Sequence, residues 1–223
     1  ANAFTGRAGD RAVQHTVKAA AKVLGCPENH IFVSSTGVIG EPLPVERIIR
    51  ALSGLKKELS PSSWKAAAEA IMTTDTFPKG ATRTAEIGGV TVTLNGFAKG
   101  SGMIAPDMAT MLGYLFTDAK ISQPVLQRML KDAADKSFNS ITVDSDTSTS
   151  DTVFLCATGK ARNNAVTDLR DPRLQNFREE LESMMIDLAQ QIVRDGEGAK
   201  KFIEVTVTGA ASKSGAKNIA LAV

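Results

Sequence analysis

The chain has 223 residues, enough for one large domain or two small ones with a core of their own. Its 43% hydrophobic and 22% charged residues exclude a disordered tail, a collagen-like rod and a disulfide scaffold. The formal net charge of +2, its cations spread along the chain, and 5% aromatics argue against a phosphate-tracking or base-stacking surface.

Taken in chain order, apolar spacing predicts a helix over Gly9 to Leu24, stopped by Gly25 and Pro27. Ile31 to Ser34 reads as a short strand. Pro44 to Leu59 is an amphipathic helix with Val45, Ile48, Ile49, Leu52 and Leu55 on one face. Ser62 or Ser63 caps a helix over Trp64 to Met72. Glu86 to Asn95 alternates around Gly88-Gly89, which predicts a hairpin. Met111 to Phe116 is a buried strand, and Ser122 caps a helix reaching Lys136. Ile141 to Val143 and Thr152 to Ala157 are β-rich. Pro172 to Arg194 is the longest helix, with Phe177, Leu181, Met184, Met185, Leu188 and Ile192 inward. Phe202 to Thr208 alternates as a strand. Elements mix without strict βαβ alternation, so the expected class is α+β rather than a doubly wound sheet. The chain starts without Met and stops inside the apolar run 218–223, which reads as a segment of a longer polypeptide.

Cys26 and Cys156 share no metal-ligand spacing and read as reduced, buried thiols. His15 and His30 are the only histidines, too few for a histidine-based triad or zinc site. No apolar run reaches membrane-spanning length. The glycine-rich stretch Asn95 to Thr110 lacks helical or strand period and reads as a loop. Its dinucleotide-like Gly100-Ser-Gly102 fails because Pro106 and Asp107 follow where a helix should begin. Ser34 to Gly40 follows a strand, and Gly37 can take a positive φ that turns nearby N–H groups toward a developing oxyanion; a plain turn is the competing reading. Thr73 to Lys79 crowds hydroxyls at a helix exit, which local bonding also explains. Asp144 to Asp151 misses the calcium-loop register and reads as a solvated loop or hydrogen-bonding network. Glu197, between Gly196 and Gly198, projects either toward a ligand amine or into solvent.

The blocks A-N-A-F-T-G, S-S-T-G-V-I-G, T-T-D-T-F-P-K, K-G-S-G-M-I-A-P-D-M-A-T-M-L, S-F-N-S-I-T-V-D and D-G-E-G-A-K-K occur in that order along the chain. Together they resemble the ornithine acetyltransferase (glutamate N-acetyltransferase) family of arginine biosynthesis, over a middle portion of its members. The resemblance implies a layered α/β/β/α sandwich like that of self-processing enzymes with an amino-terminal nucleophile. It implies cleavage of the Ala109–Thr110 bond, giving an alpha subunit that contains 1–109 and a beta subunit that contains 110–223. Thr110 would then be the nucleophile. Thr36 and Gly37 match the oxyanion-hole pair, and Thr76, Lys99, Thr110 and Glu197 match substrate-binding positions.

The chemistry of that arrangement is self-consistent. A free α-amine has a pKa of about 7.7–8.0, so at neutral pH it can accept the proton of its own residue's hydroxyl. Cleavage thus creates the base beside the nucleophile. The implied reaction moves acetyl from N-acetylornithine to glutamate through an acetyl-threonine ester. The resemblance implies no metal and no resident cofactor, with acetyl-CoA a further acetyl donor in some members. It implies paired two-subunit protomers (two alpha and two beta chains); the charge balance and short apolar runs predict no nucleic-acid or membrane partner, and reduced cysteines fit a cytoplasmic or organelle-matrix location. Ser145 and Ser150 depart from the family's usual Gly and Asn, and the family's carboxy-terminal part normally adds an Asn and a Thr to the pocket. Two rival readings remain: a hydrolase or aminopeptidase of the same architecture, and a non-catalytic amino-acid-binding fragment.

Overall fold

Apolar periodicity opens the chain as a helix, α1 (Gly6–Leu24), which ends where Gly25 turns left-handed at φ 77° and donates its N–H to Ala21. The computed structural model describes residues 2–105 and 111–223. These fall into two units, 1–67 and 68–223. In the first, α1 packs on α2 (Val45–Lys57), and the Lys56 ammonium reaches the Val23 carbonyl at 2.5 Å. Val45, Ile48, Ile49 and Leu52 are half-buried as their spacing predicts, whereas Leu55 is exposed. The strand expected at Ile31–Ser34 is irregular instead. Its alternation meets no neighbouring strand among the described residues, and Phe32 lies 74% exposed. A short helix, α3 (Trp64–Ala70), runs across the division.

The second unit is built on a four-stranded sheet in the order β1-β2-β3-β4. The strands are β1 (Lys79–Ile87), β2 (Val90–Lys99), β3 (Leu112–Thr117) and β4 (Thr152–Ala157). Gly88 and Gly89, at φ 59° and 80°, form the predicted two-residue hairpin turn that needs positive φ at both positions. β2 pairs antiparallel with β1 and β3, and β3 pairs parallel with β4 through the helix α4 (Gln123–Lys136). The hairpin is longer than expected. Asn95 to Lys99, read from sequence as loop, completes β2, because the ladder partners Thr82 to Lys79 override the strand-weakening Gly96.

The long helix begins as a single tight turn at Pro172–Leu174 and continues as α5 (Gln175–Arg194). All six residues expected inward on it are buried. They share one core with Val92, Leu94 and Leu115 of the sheet and Val125 and Met129 of α4. Strand alternation sends Phe97, Tyr114, Phe116 and Phe154 to the other face, where their rings stack with centroids 5.2–6.3 Å apart.

The mixed α+β class therefore holds. The described residues supply one β layer rather than the two of the implied sandwich. Phe202–Thr208, expected as a further strand, is irregular: Ile203 is 75% exposed, and the Phe202 ring sits under the Arg194 guanidinium at 4.9 Å. A terminal helix not foreseen from sequence, α6 (Lys213–Leu221), is capped by Ser212 accepting from the Gly215 N–H. Both cysteines are free, but the expectation of burial fails: Cys26 is half-buried, and Cys156, on the strand at the sheet edge, is exposed. No helix among the described residues is long and apolar enough to cross a membrane.

Candidate functional site

Antiparallel pairing puts the start of β1 beside the end of β2, with Lys79 opposite Ala98. The segments 73–79 and 99–102 thus meet at one end of the hairpin. α5, packed along β1 and β2, terminates at the same end and delivers 195–197. Three stretches far apart in sequence converge by construction of the fold.

A buried cation joins them. Lys79 is fully buried, and its ammonium donates to Asp75 and to Asp195, both at 2.6 Å, and more weakly to the Phe77 carbonyl at 3.4 Å. Those bonds use all three of its protons. Asp75 also accepts from the Gly100 N–H at 2.7 Å and the Thr73 N–H at 3.1 Å. Asp195 also accepts from the Thr76 N–H at 2.9 Å and from the Thr76 hydroxyl. Burial works against ionising either acid. For Asp75, the Gly100 N–H, Lys79 and the Thr73 N–H outweigh burial; for Asp195, Lys79 and Thr76 do. Both carboxyls are held below the ordinary range. Removing one member of such a buried set costs about 3–5 kcal/mol, because it leaves a charge without its partner.

The predicted binding residues sit around this cluster. Thr76 is exposed and tied to Asp195. Lys99 is 2% exposed. Burial lowers its pKa and Lys79 adds to that, while Asp75, Glu197 and Asp151 favour its charged form. Glu197 donates its N–H to the Ser101 carbonyl at 2.8 Å. Its carboxyl lies so close to Gly102 that a methyl group there would stand 2.8 Å from the carboxyl carbon. The Thr74 and Ser101 hydroxyls share a bond of 2.6 Å. The structure thus brings Thr76, Lys99 and Glu197 together. Thr36 and Gly37 belong to the first unit; Gly37 has the expected positive φ, at 140°, and Thr36 is half-buried. Ala109 and Thr110, the expected cleavage pair, lie outside the described residues.

The acidic loop is a hydrogen-bonding network. Asp144 accepts from the Met103 and Ile104 N–H groups at 2.6 and 2.9 Å, and Asp151 accepts from the Met111 N–H at 2.9 Å. Burial raises Asp151 to about 6 despite that bond and the attraction of Lys99. Ser145 adopts φ 63°, a conformation glycine takes without steric cost, at the position where the resembled family has glycine. Among the described residues no group of His, Cys, Asp and Glu could hold a metal ion. The cavity under residues 202–205, about 280 Å³, is lined by none of the predicted site residues.

Sequence reading missed Asp75, Lys79 and Asp195. The Asp75–Lys79 spacing of four was visible, but Lys79 and Asp195 pair across 116 residues. Asp195 does carry a local signal: it caps the carboxy-terminal end of α5, where the helix dipole disfavours an acid.

A family model described as the ArgJ family matches residues 1–223. The chain is 55% identical over 226 residues to the "Arginine biosynthesis bifunctional protein ArgJ" of Rhizobium meliloti, and 56% identical over 222 residues to the protein so named in Ruegeria pomeroyi. Each alignment covers 100% of this chain, and 55% and 53% of the relatives. The chain thus spans about half the length of the curated relatives it matches. The crystal structure of the ArgJ protein of Bacillus halodurans is 47% identical, with a TM-score of 0.47 over 48% of this chain and 50% of that one.

Proposed function

Because the chain belongs to the ArgJ family, we propose that it forms part of an acetyltransferase that moves acetyl from N-acetylornithine to glutamate. The protein cleaves itself at Ala109–Thr110. The amine freed at Thr110 takes the proton of the Thr110 hydroxyl, and the hydroxyl oxygen attacks the acetyl carbonyl. Thr36 and Gly37 donate to the oxyanion, where a single donor is worth roughly 3–4 kcal/mol. Ornithine leaves and an acetyl-threonine ester remains. The glutamate amine then attacks that ester, regenerating Thr110. No resident cofactor takes part; acetyl-CoA is a second acetyl donor to be tested. The cleaved alpha and beta chains assemble in pairs.

The observation that supports this reading best is the meeting of Thr76, Lys99 and Glu197 at one end of the β1–β2 hairpin. Both substrates share an α-carboxylate, and the buried Lys99 offers it a cation whose bonding water would weaken little. Glu197, exposed nearby, offers an anion to the ornithine side-chain ammonium. One pocket with a charge of each sign suits two amino acids that enter in turn.

The test uses the full-length protein. A denaturing gel is expected to show two pieces split at Thr110, and N-acetylornithine with glutamate to give N-acetylglutamate. Thr110→Ala should abolish both. Acetate release indifferent to glutamate would favour the hydrolase instead. An uncut chain that binds amino acids without turnover would leave only a binding fragment.

A further inference from the structure

The Thr76 hydroxyl has one proton to give and two lone pairs with which to accept. In this structure the proton is committed. Asp195 is ionised and accepts only, and its two oxygens take the Thr76 hydroxyl, the Thr76 N–H and the Lys79 ammonium. Lys79 in turn is fixed by Asp75. Asp195 is 6% exposed, so water does not compete freely for these bonds, whereas Thr76 itself stays exposed. An acid at the carboxy-terminal end of a 20-residue helix is locally unfavourable. Its partners Lys79 and Thr76, not the helix, hold the acid at this position.

We propose that Asp195, anchored by Lys79, is a positioning residue that fixes Thr76 as a hydrogen-bond acceptor, so that this position takes an N–H of the substrate. The ligand class follows from that polarity. In the acetyl donor the N–H is that of the acylated α-nitrogen; in the acetyl acceptor it belongs to the α-amine. A carboxylate or carbonyl oxygen does not fit there, because Thr76 has no proton left to donate. The substrate α-carboxylate is left to Lys99, and the two ends of the shared amino-acid core are read by opposite polarities. This rests on the acetyltransferase reading above.

The full-length, self-processed protein is assayed with N-acetylornithine and with its ester isostere 2-acetoxy-5-aminopentanoate, which replaces the N–H by oxygen. Thr76→Val removes the acceptor at nearly constant volume. It is expected to lower kcat/KM for the amide roughly tenfold and to leave the ester within about twofold, the size of one hydrogen bond. Asp195→Asn is expected to weaken the amide similarly, and to add nothing in the Thr76→Val background, because both act through one contact. Thr76→Ser should restore amide selectivity. Equal losses on amide and ester, or additive losses in the double variant, would overturn the inference while leaving acetyl transfer intact. If Asp195→Asn does not fold, Asp195→Glu, which keeps the charge and displaces the acceptor, takes its place, with the same loss expected on the amide, none on the ester and none added in the Thr76→Val background. A wild-type protein that transfers no acetyl group from either compound sinks the function and this inference with it.

Discussion

Lys99 is buried and Asp151 half-buried, and burial pushes each toward neutrality. For Asp151 the consequence is a pH-dependent stability. Its carboxyl is raised from 3.8 to about 6 in the folded state. A raised carboxylate binds its proton more tightly folded than unfolded. Its contribution to stability is therefore full below about pH 4 and fades as pH rises through 6, where the folded protein must carry a poorly solvated charge. Asp151→Asn keeps an oxygen to accept the Met111 N–H and removes the charge. A two-unit shift has a ceiling of about 3 kcal/mol, which partial solvent screening cuts to roughly 1 kcal/mol. Thermal melts should show the Asn variant more stable at pH 7.5 and nearly equal to wild type at pH 4. A gain of the same size at both pH values would refute the titration and point to packing.

At the scale of elements, local rules and long-range packing divide the chain visibly. α5 was legible because six apolar positions repeat with helical period and all six are buried. The hairpin turn was legible because two glycines at positive φ are what a two-residue connection demands. Asn95–Lys99 was not, because Gly96 weakens any strand signal and its reason lies in another element. A methyl at Gly96 would come 2.7 Å from Leu115 Cδ2 and 3.2 Å from Leu188 Cδ1, both on fully buried side chains. Gly96 is what lets α5 lie close on β2. Phe202–Thr208 failed in the opposite sense: its alternation is real, but alternation makes a strand only where a ladder partner exists. In the site, Thr76, Lys99 and Glu197 came from the resemblance of whole motifs. The Asp75–Lys79–Asp195 cluster stayed hidden, since no local pattern announces a charge that is buried by a partner 116 residues away. Gly96→Ala, which changes no charge and no turn, should cost about 1–3 kcal/mol by overpacking. Urea unfolding monitored at equal pH should show a lower midpoint with an unchanged slope; an unchanged midpoint would mean that α5 does not sit against β2 as described.

At the scale of the molecule, the proposed cut at Ala109–Thr110 falls inside a single sheet rather than between the two units, which divide at 67/68. β1 and β2 belong to the piece before the cut, and β3, β4, α4 and α5 to the piece after it. The ladder between β2 and β3 runs from Leu94 opposite Thr117 to Lys99 opposite Leu112, entirely across the two pieces. The core is shared in the same way: Val92 and Leu94 from one side pack with Leu115, Met184 and Leu188 from the other. Lys79–Asp195 at 2.6 Å and Arg83–Asp187 at 2.9 Å are further ties between them. Neither piece buries its apolar face alone, so cutting one peptide bond removes chain connectivity without removing the hydrophobic driving force. The processed protein should therefore elute as one species in native size-exclusion chromatography, containing both pieces in equal amount, and separate only in denaturant. Moderate salt should not part them, because the ion pairs are a small share of what is buried. Elution of the two pieces apart in native buffer would show that β2 and β3 are not joined in the processed state. It would also remove the common frame that the proposed pocket of Lys99, from the first piece, and Glu197, from the second, requires.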